Sequence, residues 1–240
     1  MPLDLVPQAR RLVNSRFPYA LGAVLGGSAA NGRATTGSDL DLAVLVGEPG
    51  NGTYRETIRF EGRVTELFVH SPSALPELFA AARADRRGVL QRVYAEGVVL
   101  HDPAGHAARA RATAAAELAA GPPALDRAAA EDLRYRLTEA LDDLADNADP
   151  DERAAIAGEV LRSAAELLCD QHRAWTGSGK WLPRRLRAAD PELGGALLAA
   201  HRAAAERPAE LVALGLRVLT RSGGPLREGF RREWAPRAAS

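Results

Sequence analysis

Cysteine is nearly absent from this chain: Cys169 is the single thiol in 240 residues. One thiol builds neither a disulfide framework nor a zinc site, so both structural classes are excluded. Its place in an apolar helical period fits a small buried side chain. Net charge is also missing. Lys+Arg and Asp+Glu are both 31, giving a formal net charge of zero. Proteins that track long nucleic acids need a basic excess to neutralise phosphates, so a DNA or RNA substrate is disfavoured, although a local basic groove stays open. No apolar run approaches the ~20 residues of a membrane span, and no charged amino-terminal region precedes an apolar one. A soluble, cytoplasmic protein without membrane partners is expected. Lysine is scarce beside arginine and alanine, a trace of GC-rich coding to which no function attaches. His70, His101, His106, His172 and His201 lack metal-ligand spacing, and no repeat of fixed period is present.

What is present divides into two halves. Residues 1–102 mix helix and strand. Residues 5–17 place Val6, Ala9, Leu12 and Val13 on one helical face, with Pro7 in the first turn, where its missing N–H costs little. Residues 21–25 and 40–46 read as buried strands, and Glu48 to Gly52 as a turn. Residues 53–60 and 63–69 flank Glu61-Gly62, an X-Gly pair that predicts a hairpin. A helix over 72–84, capped by Ser71 or Ser73, and a short strand over 98–100 complete this half. Residues 103–240 carry helical stripes: Leu133/Leu137/Ala140/Leu141/Leu144, then Ile156/Val160/Leu161/Ala164/Leu167/Leu168, then Leu197/Leu198/His201, then Leu211/Leu214/Val218/Leu219. Short Pro-, Asp- and Gly-containing breaks separate them, the pattern of an antiparallel bundle. The tail from Ser222, rich in Gly, Pro and Arg, is expected to be loosely ordered. The fold class is therefore α+β: a small mixed-sheet domain over 1–102, followed by an all-α helical bundle over 103–240.

The chemistry lies in the first half. Asp39 and Asp41 are two residues apart where a strand begins, so they share a face while Leu40 and Leu42 point to the core. Adjacent carboxylates repel, and a cation between them compensates. Upstream, Gly26-Gly27-Ser28 follows a strand and opens a short helical segment. Glycine lets backbone approach a phosphate closely, and the Ser28 hydroxyl can bond one. A lone acid in an apolar strand, Glu66, is the candidate third carboxylate. With Glu61-Gly62 as a two-residue turn, Glu66 falls opposite Thr57, and Arg55 and Arg59 share its face. Two or three carboxylates converging near backbone donors suit Mg²⁺, a hard cation with oxygen ligands, and phosphoryl chemistry on a nucleoside triphosphate. Read alone, Asp-x-Asp is equally a solvated strand end.

Gly27-Ser28, ten residues, then Asp39-Leu40-Asp41 resembles the signature of the DNA polymerase β-like nucleotidyltransferase superfamily, with Ser38 to Leu42 as its metal-binding strand. A small catalytic domain followed by helices is similar to the antibiotic (aminoglycoside) nucleotidyltransferases. The motif covers residues 26–42, and element order extends the likeness to about residue 101. The resemblance implies Asp39 and Asp41 as Mg²⁺ ligands. It implies Glu66 as third ligand or as general base, at a position where the family often has Asp. Gly27, Ser28 and Ser38 would lie at the nucleotide. It further implies transfer of a nucleoside monophosphate, AMP from ATP, to a small-molecule hydroxyl such as that of an aminoglycoside, in a cleft between the halves. Rival readings are an adenylyltransferase modifying a partner protein such as a toxin, a non-catalytic nucleotide-binding module, and an RNA-end nucleotidyltransferase.

The second half adds two features. Ser178 to Pro183 puts Lys180 and Trp181 on a loop. Helical-domain members of the resembled family supply a lysine to the triphosphate, so Lys180 is a nucleotide-binding candidate; a capping loop with a buried Trp is the alternative. Arg184, Arg185 and Arg187 are either a phosphate-facing patch or a solvated face. Residues 124–152 hold ten Asp/Glu against three Arg. Asp132, Glu139 and Asp143 would form a wall for a polycationic acceptor, or an ordinary solvated helix face.

Overall fold

The structure is a computed structural model describing residues 4–47 and 52–233. The expected turn at Glu48 to Gly52 falls at 48–51 outside the described residues, as does the tail end at 234–240. In chain order the elements are α1 (Val6–Arg16), β1 (Gly22–Gly26), α2 (Gly27–Ala30), β2 (Leu40–Leu45), β3 (Tyr54–Phe60), β4 (Arg63–His70), α3 (Leu75–Ala84), α4 (Val89–Glu96), β5 (Val98–His101) and α5 (His106–Ala120). Then follow α6 (Arg127–Asp146), α7 (Pro150–Gln171), α8 (Trp181–Ala189), α9 (Pro191–Ala203) and α10 (Pro208–Arg221). This is α+β architecture, a mixed sheet with helices followed by helices alone. Two compact units result, Met1–Pro122 and Pro123–Ser240.

The first unit is built on a five-stranded sheet of order β3-β4-β2-β1-β5. Only β2 and β4 run parallel; the other pairs are antiparallel. The hairpin has the expected register. Phe60 faces Arg63 across a two-residue turn in which Glu61 (φ 46°) and Gly62 (φ 81°) are both left-handed. That turn matches the twist of paired strands. Both faces of the central strands are covered. Leu40, Leu42, Val44, Leu67 and Val69 pack with Ala9 and Leu12 of α1. On the other face Val24, Ala43 and Leu45 pack with Phe79, Val93 and Tyr94, and with Ala107, Ala110 and Ala114 of α5. Strands buried on both sides read as unbroken apolar runs, which is how β1, and β2 beyond Asp41, appear in the sequence.

Two helices depart from the sequence reading. The α4 helix lies in a stretch without a predicted element. It is short, it follows two left-handed residues (Arg86, φ 60°; Gly88, φ 60°), and it buries the polar Gln91. Gln91 Nε2 donates to the Phe79 carbonyl (2.8 Å) and to Glu117 (3.0 Å). The α5 helix, placed beyond residue 102 with the helical half, lies within the first unit. Its contact face is alanine, which carries little hydrophobic signal but lets a helix sit close to Gly22 of β1. The α3 helix starts at Leu75 rather than at residue 72. Ser71 closes the turn before it, accepting from the Ala74 N–H at 3.3 Å.

His70, at the end of β4, is buried and bonded to the Tyr94 hydroxyl at 2.6 Å. Burial pushes its pKa down to about 4. The folded-state value thus lies below the ordinary value of about 6.5, so the unfolded chain binds the extra proton. The stability this provides is complete above about pH 6.5 and is lost as pH falls toward 4. Between pH 7.5 and 5 the native chain is expected to lose about 2 kcal/mol more than His70→Gln. Urea unfolding at the two pH values checks this; equal losses in both proteins refute it.

In the second unit α6, α7, α9 and α10 enclose one core, with Leu137, Leu144, Val160, Ala164, Leu168, Leu197, Leu211 and Val218 all at 0 % exposure. Side-chain caps fix the starts of three helices. Asp126 accepts from the Ala129 N–H, Asp149 from those of Asp151 and Glu152, and Asp190 from that of Leu193. These satisfy donors that a helix start leaves open. The tail corrects the expectation of loose order as far as Glu233. Arg134 donates to the Gly223 and Gly224 carbonyls, Phe230 stacks on Tyr135 at 4.2 Å, and Arg227 and Arg232 pair with Asp142 and Asp132. Opposite charges on tail and helix hold together a segment whose composition alone reads as loop.

Candidate functional site

The segment after β1, the approach to and start of β2, and β4 carry the predicted residues other than Lys180. Gly26 ends β1 opposite Asp41 of β2, and Asp41 pairs in parallel register with Glu66 of β4. Thr57 of β3 faces Glu66 from the other side. One row therefore crosses four strands as Thr57, Glu66, Asp41, Gly26. Neighbouring strands lie ~4.8 Å apart, so the two carboxylates are side by side on one face. Asp39 shares that face by alternation, one residue ahead of β2, and is exposed. Leu40 and Leu42 are fully buried beneath, which fixes the register: a one-residue slip would bury both aspartates.

Gly27 locks this geometry. It has φ +63°, and a Cβ there would fall 1.8 Å from Asp41 Oδ2. The Asp41 carboxylate thus lies against the bare backbone of the glycine turn. Ser28 follows in the four-residue α2, whose Ala29 is buried. The loop leading to Asp39 is organised by Ser38. Its Oγ accepts the Thr35 N–H at 2.9 Å, and its N–H donates to the Thr35 carbonyl at 3.1 Å. Beside it opens a cleft of about 290 Å³ lined by Gln8, Thr36, Ser38, Arg59, Arg63 and Val64.

Glu66 is mostly buried, at 18 % exposure, and pairs with Arg55, whose guanidinium lies over the Phe68 ring at 5.4 Å. Among the described residues no group of three or more His, Cys, Asp or Glu is gathered closely enough to hold a metal ion. Asp41 and Glu66 are adjacent in register, while Asp39 stands at the exposed approach to the strand. Their chemistry nonetheless fits Mg²⁺. All are hard oxygen donors, and the missing Cβ at Gly27 leaves Asp41 in contact with open backbone. Lys180 belongs to the second unit, where it is exposed at the start of α8. Its assignment to the triphosphate rests on the resemblance alone. Beside it Trp181 is half-buried and carries the guanidinium groups of Arg184 (4.9 Å) and Arg185 (5.1 Å). In the acidic run, Asp132 and Asp142 are committed to tail arginines, and Glu139 accepts from the Tyr135 hydroxyl at 3.2 Å.

One residue and one pairing escaped sequence reasoning. Arg63 Nη1 donates to the carbonyls of Thr36 (3.3 Å) and Ser38, tying the loop before Asp39 to β4. Nothing in the sequence announces this, because it depends on β2 and β4 being parallel neighbours. Arg55 was visible as a face-sharing cation, but its commitment to Glu66 was not. The hairpin register carried that signal, since Arg55 sits one diagonal step from Glu66.

Residues 6–86 match the nucleotidyltransferase domain family. The match spans about a third of the chain, from α1 to the end of α3, and includes the whole Gly26–Glu66 site. That region is therefore similar to a nucleotidyltransferase domain. No curated protein matches the chain. Among solved structures, a nucleotidyltransferase-like protein from Exiguobacterium sibiricum is similar at 13 % identity and TM-score 0.41, over 89 % of this chain and 74 % of that one. No helix among the described residues is long and apolar enough to cross a membrane.

Proposed function

We propose that the protein is a Mg²⁺-dependent nucleotidyltransferase that moves a nucleoside monophosphate, AMP from ATP, to a hydroxyl of a small molecule, with an aminoglycoside-like compound as the first candidate acceptor. The observation that carries this reading is the row in which Asp41 and Glu66 stand side by side on parallel strands, flanked by a glycine turn that touches Asp41. Asp39, Asp41 and Glu66 are the residues that would hold the metal. When bound, it would supply charge neutralisation along the triphosphate and at the attacking oxygen.

The chain's own contributions follow from their surroundings. Gly27 and Ser28 offer close backbone approach and a hydroxyl to phosphate oxygens. Ser38 holds the loop that presents Asp39, and Arg63 holds that loop against β4. Glu66, one strand away from Asp41, would serve either as third ligand or as general base for the acceptor hydroxyl. The neutral net charge supports a small acceptor over RNA.

The reading is tested by measuring pyrophosphate release with each of the four ribonucleoside triphosphates, Mg²⁺ and a panel of aminoglycosides. Release that needs Mg²⁺, ATP and one class of acceptor is expected. Labelling of a protein band in lysate by α-labelled ATP, with no turnover on small molecules, would replace the acceptor by a protein partner. No Mg²⁺-dependent binding of any triphosphate would leave a fold without the activity and overturn the proposal.

A further inference from the structure

We infer that Arg55 is a built-in stand-in for the metal at Glu66, holding this carboxylate while the site is empty of cation and releasing it when a divalent ion arrives with the triphosphate. The inference rests on the nucleotidyltransferase reading above and adds to it a positioning residue and an order of events.

Three observations carry it. First, Arg55 and Glu66 share one sheet face: Thr57 pairs with Glu66 and Arg55 with Phe68, a diagonal step along the hairpin. Both Nε and Nη2 of Arg55 donate to the same oxygen, Glu66 Oε1. Second, the two partners differ sharply in burial. The Arg55 side chain is 68 % exposed, on the edge strand β3, whereas Glu66 is 18 % exposed. A pair with one solvated, flexible arm is weak and readily exchanged. Its guanidinium rests on Phe68, which supports the arm in the paired position. Third, the other arginine of this face is already committed: Arg59 Nη1 donates to the Gly62 carbonyl at 2.8 Å.

The electrostatic logic is simple. Asp41 and Glu66 put two carboxylates side by side on one face of β2 and β4, and Asp39 stands exposed at the approach to β2. Without a cation the adjacent carboxylates repel one another. Arg55 neutralises Glu66. A divalent ion held by Asp41 and Glu66 together would do so better. Once displaced, the Arg55 guanidinium would be free to pair with anionic phosphate oxygens, its natural partners.

The test is a titration of Mn²⁺, without nucleotide, followed by the electron paramagnetic resonance signal of the free ion. Arg55→Gln is expected to bind Mn²⁺ about three- to fivefold more tightly than the native chain, the size of an exposed ion pair removed. Arg55→Lys, which keeps the charge, is expected to stay near the native value. With Mn²⁺ saturating, Arg55→Gln is expected to bind ATP more weakly. A merely structural arginine would give the opposite of the first result, since loosening β3 weakens every ligand. Unchanged or weaker Mn²⁺ binding by Arg55→Gln overturns the inference. Asp41→Asn separates this failure from failure of the underlying reading. If Asp41→Asn abolishes Mn²⁺ binding in native and Arg55→Gln backgrounds alike, the metal site stands and Arg55 alone is judged. If it abolishes binding in neither, the metal site itself is wrong.

Discussion

Asp41→Asn is expected to lower Mg²⁺-dependent turnover by at least about a hundredfold while leaving the fold intact. The change keeps the shape of the side chain and removes its charge. A neutral amide is a poor ligand for Mg²⁺, and metal stabilisation of phosphoryl-transfer charge is worth several kcal/mol, or roughly two to three powers of ten in rate. Asp41 is the central member of the row. Glu66 flanks it on one side, Gly26 on the other, and Gly27 lies against its carboxylate. No other acid of the site has neighbours of this kind on both sides. Stability is expected to hold or rise slightly, since one of two adjacent negative charges is gone. The measurement is a pair: initial rates of pyrophosphate release, and thermal unfolding without metal. Native-like rates would remove Asp41 from the catalytic machinery. A collapse of the melting temperature would show that its main role is structural.

The proposed site is largely local in sequence, and so most of its geometry could be read there. Gly26 to Leu42 spans one strand, one turn and the start of a second strand, and the alternation of Asp39 and Asp41 with Leu40 and Leu42 needs only the period of a strand. Glu66 was reachable through one further step, the Glu61-Gly62 turn, because a two-residue hairpin fixes every cross-strand pair. What could not be read is whatever depends on distant pairing. That β2 and β4 are parallel neighbours is not encoded in either strand alone, and Arg63's hold on the Ser38 loop depends on it. The α4 helix was hidden because its buried face mixes the polar Gln91 with Val93 and Tyr94, and α5 because its contact face is alanine. The docked tail was hidden for a third reason. Its Gly, Pro and Arg content describes a loop, while its order comes from acids and an aromatic some ninety residues away on α6.

Gly27→Ala is expected to damage both stability and activity, and the coupling between the two is the informative part. The residue is left-handed, a conformation that costs an L side chain about 1–2 kcal/mol. Gly32 has nearly the same backbone, φ +68°, but nothing lies within 4 Å of a Cβ built there. Gly32→Ala therefore measures the conformational cost alone. At Gly27 the new methyl group also falls 1.8 Å from Asp41 Oδ2, so either the carboxylate or the turn must move. Gly27→Ala should thus cost about 1–2 kcal/mol beyond Gly32→Ala in urea unfolding, and reduce turnover by at least about a hundredfold where Gly32→Ala does not. A double-mutant cycle locates the cause. If the clash with Asp41 is responsible, Asp41→Ala removes the oxygen, and adding Gly27→Ala to it should then cost no more than Gly32→Ala. If instead the penalty at Gly27 is the same whether or not Asp41 is present, the close approach of carboxylate and glycine turn does not set the geometry of the site, and the pairing on which the metal assignment depends loses its support.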